Sequence, residues 1–204
     1  MRHAVIAGTF ALALAPFAAT AGGVAPTPAP APAPIPAPTP VGTDWTGFYA
    51  GVQVEYGDVS AENGPLDGAA GDGALYGFFG GYRYDLGDFV IGAEVDFNLA
   101  DIDLAVGGAN VGNLEAVHRY GLEAGFDAGP ALIYGTGGVA QAYADTVLGE
   151  FDDTGYYFGA GVDYLVTDQI IIGAEILQHE FEDFDSTGSD ISATTFGINA
   201  AFRF

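Results

Sequence analysis

The chain has 204 residues, of which half are hydrophobic, 32 are glycine and none is cysteine. Its 27 acidic residues stand against four basic residues, all arginine, for a formal net charge of −23. The absence of cysteine excludes disulfides, thiolate metal sites, thiol nucleophiles and a lipid-anchor cysteine. The negative charge argues against nucleic acid as a partner, because phosphate binding needs cationic side chains.

The chain begins with a predicted signal peptide, residues 1–21. Arg2 and His3 form a short basic start, an apolar run rich in alanine and leucine follows over 4–19, and Ala-Thr-Ala at 19–21 supplies the small residues of a cleavage site. The apolar run is too short and too rich in alanine to favour a membrane-spanning helix. We therefore expect secretion, with Gly22 as the first residue of the mature chain.

Residues 22–42 form a Pro/Ala-rich linker that contains eight of the 11 prolines, at alternating positions. Proline lacks the backbone N–H, so this segment cannot build a helix or a β-ladder. An extended, polyproline-like spacer is predicted. A passive tether is favoured over a docking ligand for another protein, which stays open.

Residues 43–204 are predicted to form one domain of eight strands in which apolar and polar residues alternate. The predicted strands are 45–57, 74–84, 89–99, 114–126, 131–144, 156–166, 170–180 and a last strand that ends at Phe204. In that last strand Phe196, Ile198, Ala200, Phe202 and Phe204 share one face. The fifth strand is too rich in small residues for its faces to be assigned.

The predicted connections alternate in length. Tight turns are expected at 85–88, 127–130 and 167–169, and long acidic loops at 58–73, 100–113, 145–155 and 181–193. This alternation is typical of an up-and-down outer-membrane barrel, and strands of about 10–13 residues are long enough to cross the apolar layer when tilted.

The sign of the alternation separates a membrane barrel from a soluble one. A lipocalin has the same topology but needs an apolar interior. Here one face is aromatic or aliphatic and the other is glycine plus ionisable residues, and eight strands enclose only enough volume for packed side chains. The apolar face is therefore predicted to meet lipid, around a small polar interior.

A cluster of arginines and carboxylates falls on the predicted interior face. Its members are Glu55, Arg83, Glu94, Arg119, Glu123, Asp163, Glu175 and Arg203. An arginine that faced mid-bilayer lipid would cost about 2–4 kcal/mol, whereas an interior arginine can pair. Carboxylates outnumber arginines, so some must be protonated, hydrated or metal-bound. A charged plug is favoured, with a selectivity filter or a proton path as alternatives.

Two internal segments and the last residue resemble a known family. DWTGFYAG at 44–51, LIYGTGGVA at 132–140 and the terminal Phe204 resemble the alphaproteobacterial outer-membrane immunogenic, opacity-like β-barrel proteins of the porin family. Their fold is similar to the membrane domain of outer-membrane protein A. The resemblance covers about 43–204 and implies an integral barrel whose surface loops contact the environment or a host. Phe204 and Phe202 resemble the signal that the barrel-assembly machinery reads.

Catalysis has little support in the sequence. Small barrels that modify lipid A need a Ser–His pair or a similar group. The mature chain has only His118, on the predicted lipid face, and His179, which precedes Ser186 and Ser189 without a spacing that brings them together. No catalytic residue, cofactor or dedicated metal ligand is predicted.

The sequence thus predicts an all-β, eight-stranded antiparallel up-and-down transmembrane β-barrel in the bacterial outer membrane, with a structural and surface-exposed role. A small porin-like diffusion channel is the alternative, and a lipid A-modifying enzyme is less favoured. The expected partners are outer-membrane lipid, lipopolysaccharide and the barrel-assembly machinery. Divalent cations at the acidic loops, bridging to lipopolysaccharide phosphates, are an alternative to simple solvated acidity.

Overall fold

The computed structural model describes residues 43–146, 149–182, 184 and 188–204, so the predicted signal peptide, the linker and Ser186 lie outside the described residues. Eight antiparallel strands close into a barrel in sequence order, with the first paired to the last. They are β1 (Gly47–Glu62), β2 (Ala70–Asp85), β3 (Phe89–Val106), β4 (Ala109–Asp127), β5 (Ala131–Thr146), β6 (Gly149–Thr167), β7 (Ile170–Phe181) and β8 (Asp190–Arg203). The predicted eight-stranded up-and-down barrel is confirmed.

The two faces of each strand meet different surroundings. On β1, Val52 and Val54 are 64% and 57% exposed, whereas Gln53 and Glu55, between and after them, are 8% and 5% exposed. The apolar face therefore points outward and the polar face inward, the reverse of a soluble barrel. The predicted sign of the alternation is confirmed, and it is the arrangement that a lipid environment requires.

The outward-facing residues form a continuous apolar band around the barrel, here called the lipid-facing band. It covers every second residue within 48–56, 76–84, 89–99, 118–126, 133–139, 156–164, 170–176 and 196–204. Tyr56, Tyr76 and Tyr156 lie at one border of this band, as aromatic residues do at membrane interfaces. Within the described residues, no helix has the length and apolar character needed to cross a membrane.

The strands are longer than predicted, and three of the four predicted acidic loops are mostly strand. β4 and β6 each have 19 residues. β3 and β4 are joined by Gly107 and Gly108 alone, both at positive φ, as a tight hairpin turn requires. Most acidic side chains of these extensions, such as those of Asp58, Asp101 and Asp152, are exposed beyond the lipid-facing band, where water solvates them. Their charge is therefore compatible with a strand. Asp153 is the exception among the described residues, because it has the interior parity and its Oδ2 is buried.

The two ends of the barrel differ. The short turns 86–88, 128–130 and 168–169 lie at the same end of the barrel as the start of β1 and the end of β8. This is the periplasmic end in barrels of this kind. At the other end, called the outer end, residues 63–69 and 182–189 form the longer connections. Leu66 donates its backbone N–H to Ser189 Oγ at 3.3 Å, and Asn63 Nδ2 donates to Asp190 Oδ2 at 2.9 Å. These bonds tie the two connections together.

Candidate functional site

Three layers of side chains lie in the barrel lumen. A periplasmic layer is mainly aromatic and aliphatic and consists of Trp45, Tyr49, Phe79, Val90, Leu132, Tyr134, Leu165, Ile171 and Ala201. A middle layer, called the ion-pair layer, contains Arg83, Arg119 and their partners. An outer apolar layer includes Val59, Leu75, Ile102, Leu104, Val117, Ala142, Leu177 and Phe181. The sequence predicted a small polar interior, and that describes the middle layer only.

Arg83 forms half of the ion-pair layer. Its Nε and Nη2 donate to the two carboxylate oxygens of Glu123 at 2.6 and 2.8 Å, and its Nη1 donates to Asp163 Oδ2 at 2.6 Å. The guanidinium also lies 4.5 Å from the ring centroid of Tyr49 and 5.3 Å from that of Tyr134. Arg83 is 1% exposed, so its charge is neutralised by direct pairing and cation–π contact, away from water.

Arg119 forms the other half. Its Nη1 and Nη2 donate to the two carboxylate oxygens of Glu55, and Nη2 also lies 3.3 Å from Asp96 Oδ1. Gln53 Nε2 bridges Asp96 Oδ1 and Asn98 Oδ1 at 3.0 and 2.9 Å. The predicted cluster omitted Asp96, although its place on the interior face of the third strand was visible in the alternation.

Glu94 and Glu175 are bonded differently, because their hydrogen-bond partners among the described residues are tyrosines. Tyr49 donates its hydroxyl to Glu94 Oε2 at 2.8 Å, and Tyr134 donates to Glu175 Oε2 at 3.0 Å. Both tyrosines come from the periplasmic layer, so these bonds connect that layer to the ion-pair layer. Six interior carboxylates therefore face two interior arginines: Glu55, Glu94, Asp96, Glu123, Asp163 and Glu175 against Arg83 and Arg119.

The structure places Arg203 outside the ion-pair layer, which corrects its inclusion in the predicted cluster. Its Nη1 donates to the backbone carbonyl of Asp44 at the periplasmic rim. The residue has the interior parity, but it is next to the end of β8 and so lies below the lumen contents. Asp44 itself accepts the backbone N–H of Thr46 at 2.8 Å, and this bond lowers the pKa of the Asp44 carboxyl.

Interior glycines make room for the large interior side chains. A Cβ built on Gly121 would lie 1.9 Å from the Tyr157 hydroxyl oxygen, and one on Gly81 would lie 2.5 Å from that of Tyr49. A Cβ on Gly161 would meet the Tyr134 ring at 2.5 Å. The glycine-rich face therefore allows a close approach of aromatic rings across the lumen, in addition to supplying a polar wall.

The outer apolar layer encloses a cavity of about 40 Å³. Its walls include Ile102, Ala142, Phe181 and His179. His179 is 3% exposed and stacks on Tyr157 with ring centroids 5.9 Å apart, and its Nδ1 lies 3.4 Å from the backbone oxygen of Ala193. Among the described residues, His179 Nε2 has no hydrogen-bond partner.

The other residues weighed for catalysis or metal binding lie apart. His118 is on the outer face, with its ring 5.1 Å from Phe97 and 5.2 Å from Tyr143. Ser189 is fully buried and accepts the Leu66 amide. Within the described ranges, no group of three or more His, Cys, Asp or Glu side chains has the arrangement of a metal site.

The last strand ends against the first. Phe204 donates its backbone N–H to the Phe48 carbonyl at 3.0 Å, and the Phe202 and Phe204 rings meet edge to face at 5.2 Å. Both rings face the lipid side, and Phe204 is 77% exposed. The predicted assembly residues are therefore accessible at the periplasmic end of the closing seam.

Comparison with known proteins agrees with this geometry. The family model of the outer membrane protein beta-barrel domain matches residues 10–204. A 22 kDa outer membrane protein of Rhizobium leguminosarum bv. viciae is 30% identical over 168 residues, which are 74% of this chain and 70% of that protein.

Two solved structures share the fold. Neisserial surface protein A matches 78% of this chain and 98% of its own, at 17% identity and a TM-score of 0.53. OprG from Pseudomonas aeruginosa matches 80% and 98%, at 14% identity and a TM-score of 0.54. The predicted family and localisation are confirmed: the chain belongs to the outer membrane protein beta-barrel domain family and is a bacterial outer-membrane protein.

Proposed function

We propose that this protein is a structural, non-enzymatic outer-membrane barrel with a closed lumen and a surface-exposed outer end that contacts the environment or a host. The ion-pair layer carries this proposal. Its two arginines are 1% exposed and each is held by two carboxylates, which supports a lumen that is closed at this height. Opening it would leave buried charges unpaired, which costs about 3–5 kcal/mol per broken group.

The test is single-channel recording in planar lipid bilayers. The refolded wild-type protein should give no steady conductance. Arg119→Ala combined with Glu55→Ala removes a matched pair and should create a hydrated gap with measurable current. Steady wild-type conductance equal to that of this double variant would support the alternative, a small diffusion channel.

The non-enzymatic part of the proposal has its own test. His179 is buried in the outer apolar layer and His118 faces outward among aromatic rings, so neither is placed as a base beside an accessible serine in the described residues. Purified protein incubated with labelled lipid A should leave its acyl chains unchanged. Release or transfer of an acyl chain, lost on His179→Ala, would overturn this part.

The outer end carries a ring of exposed carboxylates, here called the acidic collar. Its members are Asp58, Glu62, Asp72, Asp101, Asp103, Glu115, Asp145, Glu150, Asp152, Glu182 and Asp190. Such a surface repels the phosphates of lipopolysaccharide unless hard cations bridge them, and Ca²⁺ and Mg²⁺ prefer oxygen ligands. Millimolar calcium should therefore slow protease cleavage of the outer hairpins when lipopolysaccharide is present. An unchanged cleavage rate would contradict cation bridging. The acidic collar would then serve only solvation and electrostatic repulsion.

Phe204 and Phe202 are assigned to recognition by the barrel-assembly machinery. Their exposed rings at the closing seam support this role. Deleting Phe204 should lower the amount of folded protein in the outer membrane and leave material in the periplasm, whereas Phe204→Tyr should assemble normally. Normal surface levels of the deletion variant would contradict the assignment.

A further inference from the structure

At the outer end, β6 extends beyond its neighbour β7. β5 pairs with β6 up to Thr146↔Gly149, whereas the last pair between β6 and β7 is Tyr156↔Glu180. Gly155 still lies against Glu180 and Phe181 at the end of β7, so residues 149–154 of β6 are paired on one side only, among the residues described. At about 3.3 Å per residue, this segment offers roughly 20 Å of strand edge. We call residues 149–154 the open edge.

The backbone groups that point away from β5 can be identified. Thr154 donates its N–H to the Asp153 carboxylate at 2.8 Å, and from this bond we infer that its N–H points away from β5. In an antiparallel strand every second residue directs both its N–H and its C=O toward the same neighbour. The N–H and C=O of Glu150 and Asp152 therefore point the same way as those of Thr154. The backbone groups of Glu150 and Asp152 that face no described strand are a template for an added strand.

The charge around the open edge is uniformly negative. Glu150 and Asp152 are exposed on its outward face, Asp145 is exposed on β5 beside it, and Glu182 is exposed just after β7. The described arginines lie elsewhere, two in the ion-pair layer and Arg203 at the periplasmic rim. A second copy of this chain is a poor match, because edge-to-edge pairing would bring acidic side chains opposite each other.

We propose that the open edge accepts an extended, cationic peptide segment of another protein, which adds a strand beside β6. Backbone hydrogen bonds would supply affinity without demanding a particular sequence. Lysine or arginine at alternate positions of the added strand would all face outward, beside Glu150, Asp152 and Glu182. The proposal rests on the proposed surface role and gives it a class of partner.

The test uses the full chain in lipid nanodiscs and a fluorescent eight-residue peptide of alternating lysine and valine. Binding is followed by fluorescence anisotropy. A matched peptide with N-methyl groups on alternate amides keeps the charge and loses the hydrogen bonds. It should bind at least about tenfold more weakly, since a few lost hydrogen bonds at about 0.5–1.5 kcal/mol each exceed that factor.

A pair of variants at one position separates backbone pairing from charge. Asp152→Asn and Asp152→Pro remove the same charge. Only proline removes the backbone N–H that points away from β5, and its ring blocks the approaching strand. Proline is tolerated in an edge strand where the N–H faces away from the sheet, so the barrel should still form. Asp152→Asn should weaken binding about two- to threefold through charge alone, and Asp152→Pro at least about tenfold.

Three outcomes would overturn the proposal. Equal binding of the native and N-methylated peptides would mean that charge alone attracts the peptide. Equal affinities of the two Asp152 variants would mean the same, and dimers that Asp152→Pro abolishes without peptide would assign the edge to self-association. If Asp152→Pro fails to fold, as judged by circular dichroism, the N-methylated peptide still decides. The conductance measurement in planar bilayers does not depend on any of these binding results. The proposal of a closed lumen and the proposal of a peptide-binding edge can therefore fail separately.

Discussion

In the lumen, the ion-pair layer and the outer apolar layer occupy adjacent sections of one barrel, and different interactions hold their side chains. Around Arg83 and Arg119, side chains are held by hydrogen bonds with fixed directions, and most charged groups have a specific partner. Around Ile102 and Ala142, contacts are apolar, many side chains are small, and a cavity of about 40 Å³ remains.

The difference predicts how each layer responds to substitution. Removing one partner from a buried ion pair leaves the other charge unpaired in a low-dielectric site, and no rearrangement of neighbours can replace the lost partner. An apolar layer loses or gains contact in proportion to volume, and it can absorb an added methyl group where space exists. The same lumen should therefore be intolerant in its middle and tolerant near its outer end.

The largest effect is expected from Arg119→Leu. This change leaves Glu55 and Asp96 buried without their cation, and should lower the free energy of unfolding by about 3–5 kcal/mol. Urea unfolding in phospholipid vesicles measures it. The control is the triple variant Arg119→Leu, Glu55→Gln, Asp96→Asn, which removes the whole group and should recover much of the loss. A triple variant as unstable as the single one would show that packing, rather than charge, dominates this layer.

Within the ion-pair layer, two glutamates should differ. Glu123→Gln disrupts a bidentate contact to Arg83 and should cost about 2–3 kcal/mol, since hydrogen bonds to charged groups are the stronger class. Glu94→Gln keeps an oxygen that can accept from Tyr49, and should cost below about 1 kcal/mol. The same unfolding assay compares them. Equal losses would contradict the division into arginine-bonded and tyrosine-bonded carboxylates.

At the junction of the two layers, Gly121→Ala should cost about 1–3 kcal/mol, because the new Cβ meets the Tyr157 hydroxyl at 1.9 Å. Adding Tyr157→Phe removes that oxygen and should restore part of the stability. The matched control is Gly135→Ala on the outer face, where a Cβ has only an ordinary contact at 3.7 Å. If both glycines respond alike, backbone propensity and not the tyrosine contact sets the cost.

The alternation of apolar and polar residues in the sequence was sufficient to predict the fold. It also predicted, for most interior residues, that their side chains face the lumen. Glu55, Arg83 and Glu123 were placed inside because period two assigns each residue of a strand to a face. It assigns no height along the barrel. Arg119 and Arg203 share the interior parity, yet one is in the ion-pair layer and the other at the rim, because height depends on the register between strands.

At the strand ends, the acidic residues led to a wrong boundary between strand and loop. Asp101, Asp103, Asp145 and Asp152 were assigned to loops, although every second residue beside them, such as Ile102 and Ala144, continues the interior face. Above the lipid-facing band the outer face meets water, so acidic residues are compatible with a strand there. The apolar character of the lumen at this height was hidden for the same reason, because the predicted strands stopped too early to reveal it.

The smallest effect, and the one of opposite sign, is expected from Ala142→Val in the outer apolar layer. Ala142 is 2% exposed and lines the cavity, so the added carbons can fill existing space. At about 24 cal/mol per Å³, filling 40 Å³ should raise the free energy of unfolding by up to about 1 kcal/mol. Ala50→Val on the lipid-facing side is the control, since it changes strand propensity without a cavity. An increase confined to Ala142→Val would establish that this layer has spare volume where the ion-pair layer has none; a loss there would mean that both layers are packed to the same tolerance.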